Sequence, residues 1–373
     1  MKPVTLSRQF IFRFATVLSA SLLGSACAML DPESRSDSAR MTLGAGTPVA
    51  ASGETPAVGT GRRDAADDPE IWADLADPTR GLILGTDKQA GLYVYDLAGQ
   101  QLQFLAEGRL NNVDLRSGFP AEGRAQILIG ASNRSAGGVS FFLADPAAPG
   151  APMVRRWGFS ATTVSEPYGF CLGRRGESFV AVMVGVDGDV SQYGVTEGAV
   201  GPVLVQERSF AVGSQSEGCV VDDAKGILYV AEEAKGIWRY SLDPATGSTR
   251  TLLAGAPSAM LAPDVEGLGL LREEDKTWLI ASSQGDSAFA VWRVDGAEPA
   301  YAGRFSVVAG AGADAVTGTD GLAALGGAVG VFPEGLVVVQ DDADTPGETA
   351  STLRSRQNFK LVDWRTVKLA LGL

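Results

Sequence analysis

Apolar runs with two-residue alternation recur six times along this chain, in pairs. They fall at 82–85 and 91–97, 126–129 and 139–143, 179–183 and 189–193, 228–231 and 236–242, 278–281 and 289–294, and 336–339 and 359–362. Ahead of each pair lies a further apolar segment that starts on a carboxylate or amide: Asp67-Asp68, Asn111-Asn112, Glu166, Glu217, Asp264 with Glu266, and Asp320. The first run of each pair ends in a second polar cluster: Asp87-Lys88, Asn133-Arg134, Asp187-Gly188-Asp189, Glu232-Glu233, Gln284-Gly285-Asp286 and Asp341-Asp342. A repeat of about 45 to 55 residues suits the four-stranded unit of a propeller. The expected fold is all-β: a six-bladed β-propeller of four-stranded antiparallel blades. The innermost strands of a propeller run the same way about its axis, so both polar sets should meet on one rim. Turns such as Asp243-Pro244-Ala245-Thr246-Gly247 close hairpins. Helical periodicity is confined to a possible turn after Trp364.

The ends read differently. Lys2, Arg8 and Arg13 precede a short apolar stretch, and Ala26-Cys27-Ala28 fits a small-residue cleavage site, so residues 1–28 read as a signal peptide cut after Ala28. A lipoprotein linked through Cys27 is the alternative. Residues 29–60 are rich in small residues and read as a flexible lead-in, and 61–373 as one propeller domain. The mature chain is thus expected to be secreted or periplasmic. No later run reaches the roughly 18 apolar residues of a membrane span. Cleavage would leave Cys171 and Cys219, in innermost segments of neighbouring units; a bridge and two buried thiols both remain open.

A formal charge of −13 argues against nucleic acid and anionic membranes as partners. An acidic protein that handles a polyanion needs metal ions between the like charges. The chain contains no histidine, which removes Ser-His-Asp and Cys-His nucleophile systems, phosphohistidine, and His-bound zinc or iron. What remains is hard oxygen, suited to calcium ahead of magnesium or manganese.

Carboxylates at Asp67, Asp68, Glu217, Glu233, Glu266, Asp314, Asp320, Asp341 and Asp344 should crowd the rim, where bound cations would relieve their repulsion. Any single one would ordinarily be a solvated turn residue; matching registers in six units point to metal. Lys88 and Arg134 each follow the first run of a pair, in a loop at the end of the second strand of its unit. Each can be read as a surface ion pair, but beside bound cations each suits a phosphate clamp. Tyr168 lies at the start of the third unit.

An ordered set of strings resembles the β-propeller phytases: Asp-Asp-Pro-Glu-Ile-Trp (67–72), Gly-Thr-Asp-Lys (85–88), Leu-Asn-Asn-Val-Asp-Leu-Arg (110–116), Ala-Ser-Asn-Arg-Ser (131–135), Tyr-Gly-Phe (168–170), Ser-Glu-Gly-Cys (216–219), Asp-Val-Glu-Gly-Leu (264–268) and Thr-Asp-Gly-Leu (319–322). Each string is weak, but the order holds from about residue 64 to 366. The resemblance implies calcium-dependent hydrolysis of phytate (myo-inositol hexakisphosphate) or other inositol phosphates by a metal-activated water, with no covalent intermediate. It places calcium ligands at Asp67, Glu217, Glu233, Glu266, Asp314 and Asp320, and a separate stabilising calcium at Asp68, Asp341 and Asp344. It makes Lys88, Arg134, Tyr168 and Asp264 substrate contacts, and adds Glu217 and Glu266 to Lys88, Arg134 and Tyr168 as the catalytic set. Several calcium ions and a monomeric chain are expected.

The chain departs from the family pattern at Gly185-Val186-Asp187-Gly188, where the family commonly carries a lysine, and at Gln89, where a second lysine is frequent. Arg174 or Arg175 is a candidate to supply the charge missing at Val186. Competing readings are a lactonase-type calcium propeller, with one or two central metals, and a non-catalytic periplasmic binding propeller.

Overall fold

The alternation of each strand becomes the packing between blades. In the first blade Ile83, Tyr93 and Tyr95 point to one side and pack with Val338, Phe359 and Leu361 of the sixth. Their neighbours Leu82, Leu84, Leu92 and Val94 point to the other side and pack with Val113, Ile127 and Phe142 of the second. Each strand is therefore apolar on both faces, and the core is a set of layers between blades. Each such aliphatic side chain contributes about 1.5–3 kcal/mol by burial.

The computed structural model describes residues 1, 3, 44–60, 64–343 and 357–373. The chain divides into Met1–Asp37 and Ser38–Leu373, and every described strand lies in the second unit. Blade one comprises Ala66–Ala73, Gly81–Asp87, Gly91–Tyr95 and Gln101–Ala106 from axis to rim. Blade two comprises Leu110–Ala121, Arg124–Asn133, Gly138–Ala144 and Val154–Ala161; blade three Pro167–Arg175, Ser178–Gly185, Asp189–Gly198 and Gly201–Ala211. Blade four comprises Ser216–Asp222, Ile227–Glu232, Gly236–Ser241 and Arg250–Gly255; blade five Val265–Arg272, Thr277–Ser283, Ala288–Arg293 and Ala300–Val308. Blade six takes Leu322–Gly326, Gly335–Asp341 and Asn358–Asp363 from the end of the chain. The innermost strands touch in cyclic order, and Leu322–Gly326 meets Ala66–Ala73 to close the ring. The expected six-bladed propeller is the observed fold.

The expectation of a flexible lead-in over 29–60 is corrected for residues 44–60. Thr47–Ala50 pairs in parallel with Ala300–Val308 as a fifth strand of blade five. Gly53–Glu54 pairs with Asn358–Asp363 and is the missing outer strand of blade six. The segment orders through this pairing and through burial of Val49, Ala51 and Val58 in the core. The turn after Trp364 is a helix, Trp364–Leu371, capped by the Asp363 carboxylate accepting from Arg365 N. The expected signal peptide and the rest of the lead-in lie outside the described residues. Among the described residues no helix is long and apolar enough to cross a membrane.

Candidate metal and phosphate site

In five blades the innermost strand breaks register with its neighbour at the polar pair: Asp67-Asp68, Asn111-Asn112, Tyr168-Gly169, Glu217-Gly218 and Glu266-Gly267 each sit opposite a single residue. A β-bulge re-aims the side chains of the residues it contains, and five bulges at one level aim them at one mouth of the ring. A second constraint holds the strands close. A Cβ on Gly169 would lie 1.9 Å from Glu217 O, and one on Gly218 would lie 2.0 Å from Glu266 O. Only glycine permits that approach, so the glycines at the bulges of blades three and four seat Glu217 and Glu266 beside them.

Glu217, Glu233 and Glu266 result: buried carboxylates with one oxygen each within 4.8 Å of the others. Their neighbour Glu232 is structural, accepting from Ser214 Oγ at 2.6 Å and Trp238 Nε1 at 2.7 Å. Burial, then the charges of Glu233, Glu217, Asp320 and Asp264, push Glu266 well above the usual carboxylate range. Its Oε2 is buried with no hydrogen-bond partner among the described residues. Asp67 is fully buried; burial raises its pKa against the pull of Lys88, and the charges of Glu217 and Asp320 raise it further. Neither Asp67 oxygen makes a hydrogen bond among the described residues. Asp264 lies near enough to act on Glu266 by charge. Carboxylates this close, with oxygens lacking donors and no histidine nearby, fit a calcium-type ion.

Lys88 is not a surface lysine: it is buried, its Nζ 2.6 Å from Asp64 and 3.2 Å from both Asp67 and Asp320. Asp64, ahead of the first bulge, was not expected in the site; its aspartate gives no signal apart from its position after two arginines. Asp320 also accepts from Gln284 Nε2. Across the mouth, Arg134 lies over the Tyr168 ring, 5.5 Å from its centroid, and its Nε donates to Glu166 at 2.7 Å. Its terminal nitrogen reaches Asn111 Oδ1 at 3.4 Å, and Asn111 Nδ2 donates to Glu217 Oε1 at 2.9 Å. Arg134 and Glu217 are thus joined through one amide.

Of the expected grouping Asp68, Asp341 and Asp344, the first two lie among the described residues. Asp68 Oδ2 accepts from Val113 N at 3.0 Å, and Asp68 lines the axial cavity. Asp341 instead lies 3.0 Å from Lys360 Nζ, and burial pushes its carboxyl up to about 7 although Lys360 pulls it down. Asp314, expected with the rim acids, is also paired with Lys360, at 2.5 Å. Asp344 lies outside the described residues. The strand of Lys360 carries it, almost wholly buried, between Asp314 and Asp341.

Arg174 and Arg175 do not serve the position of Val186. They end the blade-three strand whose start holds Tyr168, about 20 Å away along the strand. Arg175 is paired with Glu207 and Arg174 lies over Phe179. Val186, by contrast, donates from its backbone to Glu166 O at 3.1 Å, beside the Arg134 anchor.

Below the acids an axial cavity of about 480 Å³ is lined by innermost strands of all six blades. Within it Arg116 pairs with Asp114 at 2.7 Å and Asp223 at 3.0 Å, and Asp114 accepts from Leu172 N at 2.7 Å, while burial and the charge of Asp114 push Glu70 well above the usual carboxylate range. That group ties neighbouring blades together. Cys171 and Cys219 form a disulfide between the innermost strands of blades three and four.

Fold and site together define a six-bladed propeller with an acidic, oxygen-only centre and flanking cations at one mouth. Comparison narrows this: the family model described as Phytase matches residues 13–372, and the chain belongs to the phytase family. The 3-phytase of Bacillus subtilis (strain 168) is 36% identical over 342 residues, 87% of this chain and 85% of that protein. Among solved structures, a functionally unknown protein from Desulfotomaculum acetoxidans DSM 771 matches with a TM-score of 0.43 and 13% identity, over 62% of this chain and 70% of that one. BBS1N, in its complex with ARL6DN, matches with a TM-score of 0.42 and 11% identity, over 78% and 76%.

Proposed function

We propose that this phytase-family chain is a calcium-dependent phosphomonoester hydrolase that acts on phytate and related inositol phosphates. The observation that carries the reading is the buried triad Glu217, Glu233 and Glu266, with Lys88 and Arg134 at its flanks. Asp67, Glu217, Glu233, Glu266 and Asp320 would hold the metal. Calcium, when bound, offsets the charge of substrate and rim and makes water a better nucleophile toward phosphorus.

The chain's own residues then have distinct tasks. Arg134, oriented by Glu166 and the Tyr168 ring, presents a guanidinium suited to two phosphate oxygens at once. Lys88 keeps Asp67 and Asp320 from repelling each other and adds positive charge to the phosphate side. Asn111 holds Glu217 in place while touching the arginine, so substrate contact and metal ligand move together. Asp264 borders the site as a substrate contact. With two phosphates of one ring bound, the reacting one is fixed against its neighbour. Hydrolysis breaks the P–O bond; the water oxygen joins phosphorus and the inositol oxygen leaves with a proton.

The reading agrees with an N-terminal export signal and a mature chain acting outside the cytoplasm as a monomer. Phosphate release from phytate, before and after exhaustive chelation and with calcium restored, tests the proposal. Release should stop on chelation and return with calcium, and Glu266→Gln should lose it in both conditions. Undiminished release after chelation would sink the calcium dependence, and none under any condition would sink the substrate.

A further inference from the structure

Lys360 ends in a cage of oxygens. Its Nζ lies 2.6 Å from Glu54 Oε2, 2.5 Å from Asp314 Oδ1, 3.0 Å from Asp341 Oδ2 and 2.8 Å from Asn358 Oδ1. Three carboxylates and an amide oxygen about one centre are the donor set of a hard divalent cation. Here a protein ammonium stands at that centre. Its side chain is 1% exposed, so it does not hold the position by chance of a solvated surface.

Asp341 and Asn358 face each other within one blade, but Glu54 joins them only when the ring is closed. Glu54 is on the N-terminal strand that completes blade six. Asp341 ends the second strand of that blade, Asn358 starts the third, and Asp314 precedes the blade. Glu54 and Lys360 are 306 positions apart. A cation here therefore joins the N-terminal strand to the last blade. A lysine does so with no dependence on the surrounding medium, whereas a metal would do so only while calcium is present. Two cations cannot share these oxygens: they would sit within a few ångströms of each other in a poorly solvated place.

We infer that Lys360 is a built-in cation that takes the place of a divalent metal at the seam of the ring, so that Glu54, Asp314 and Asp341 bind no calcium while the amine is present. Closure of the propeller is then independent of calcium, although the Glu217 group is not. A corollary is that removing the amine uncovers a calcium site. The inference divides the acids of the proposed calcium reading into a metal-bearing set and a metal-free one, and does not need the first set to be catalytic.

The test counts calcium bound per metal-stripped full-length chain, by equilibrium dialysis and calorimetric titration, in the natural protein and four variants. Lys360→Ala should bind one calcium more than the natural chain, and calcium should raise its melting temperature by more. Lys360→Met, which fills the space without charge, should be destabilised and gain no ion. Asp314→Asn should leave the count unchanged. An unchanged count and melting shift in Lys360→Ala would overturn the inference, and so would the loss of an ion in Asp314→Asn, which is readable even where Lys360→Ala folds poorly. Glu266→Gln reports on the other set: if its count equals that of the natural chain, the proposed catalytic metal fails while the Lys360 comparison still stands.

Discussion

Cys171 and Cys219 are bonded across neighbouring blades, three residues after Tyr168 and two after Glu217. The bridge fixes the strand that carries the Arg134-stacking ring against the strand that carries a triad carboxylate. Both cysteines are buried in the layer between blades three and four.

Replacing both cysteines with alanine should lower the melting temperature by roughly 10 °C, from about 4 kcal/mol for a loop of this size. It should also lower phytate hydrolysis at temperatures where the variant is folded, because Tyr168 and Glu217 lose their shared tether. Differential scanning calorimetry with a matched kinetic assay checks both, and an unaltered melt would show the bridge to be dispensable.

Chelation should reveal a pH dependence that calcium hides. In metal-free protein Glu266 and Asp67 hold their protons more tightly folded than unfolded, because burial and neighbouring acids raise their pKa values. Such groups contribute stability in full below the unfolded value, about 4.3 for Glu, and lose it as pH rises through the folded value. The calcium-free protein should melt higher at about pH 5 than at about pH 8, and saturating calcium should reverse that order by binding the deprotonated form. Melts at both pH values with and without chelator decide it; superimposable curves would remove metal from these carboxylates.

Lys88→Met and Arg134→Ala should differ in kind. Lys88→Met leaves Asp67 and Asp320 buried without their ammonium, so the metal-free chain should lose about 3–5 kcal/mol, partly regained in calcium. Arg134→Ala should keep its melt and lose roughly 10- to 150-fold in kcat/KM for phytate. Arg134→Lys should recover little, since one ammonium cannot stack on Tyr168, bond Glu166 and reach Asn111 together. Wild-type kinetics in Arg134→Ala would remove that residue from the site.

Val186→Lys should lower KM for phytate at fixed calcium. The position is half-buried beside Glu166 and Arg134, and Arg174 and Arg175 are engaged at the other end of the strand. A KM equal to that of the natural chain would mean that this edge of the site meets no phosphate.

Much of the molecule was legible in the chain because its signals are local. Alternation with a repeat near 50 residues determined six blades, since each two-faced strand needs a neighbour on both sides. The recurrence of acids at one register, together with the absence of histidine, determined an oxygen-only rim. The bulges that turn Asp67, Glu217 and Glu266 to the axis were not legible, because a bulge is a property of pairing between two strands and leaves the composition of each unchanged. Ring closure decided the rest. Residues 44–60 have the composition of a linker, and within them Thr47–Ala50 and Gly53–Glu54 become strands because blades five and six offer unpaired edges. Lys360 sits in a run that reads as an ordinary strand, and Asp314 and Asp341 read as two more rim acids. What each does depends on the charge that closure places beside it, and a charge brought from 306 positions away has no local signature.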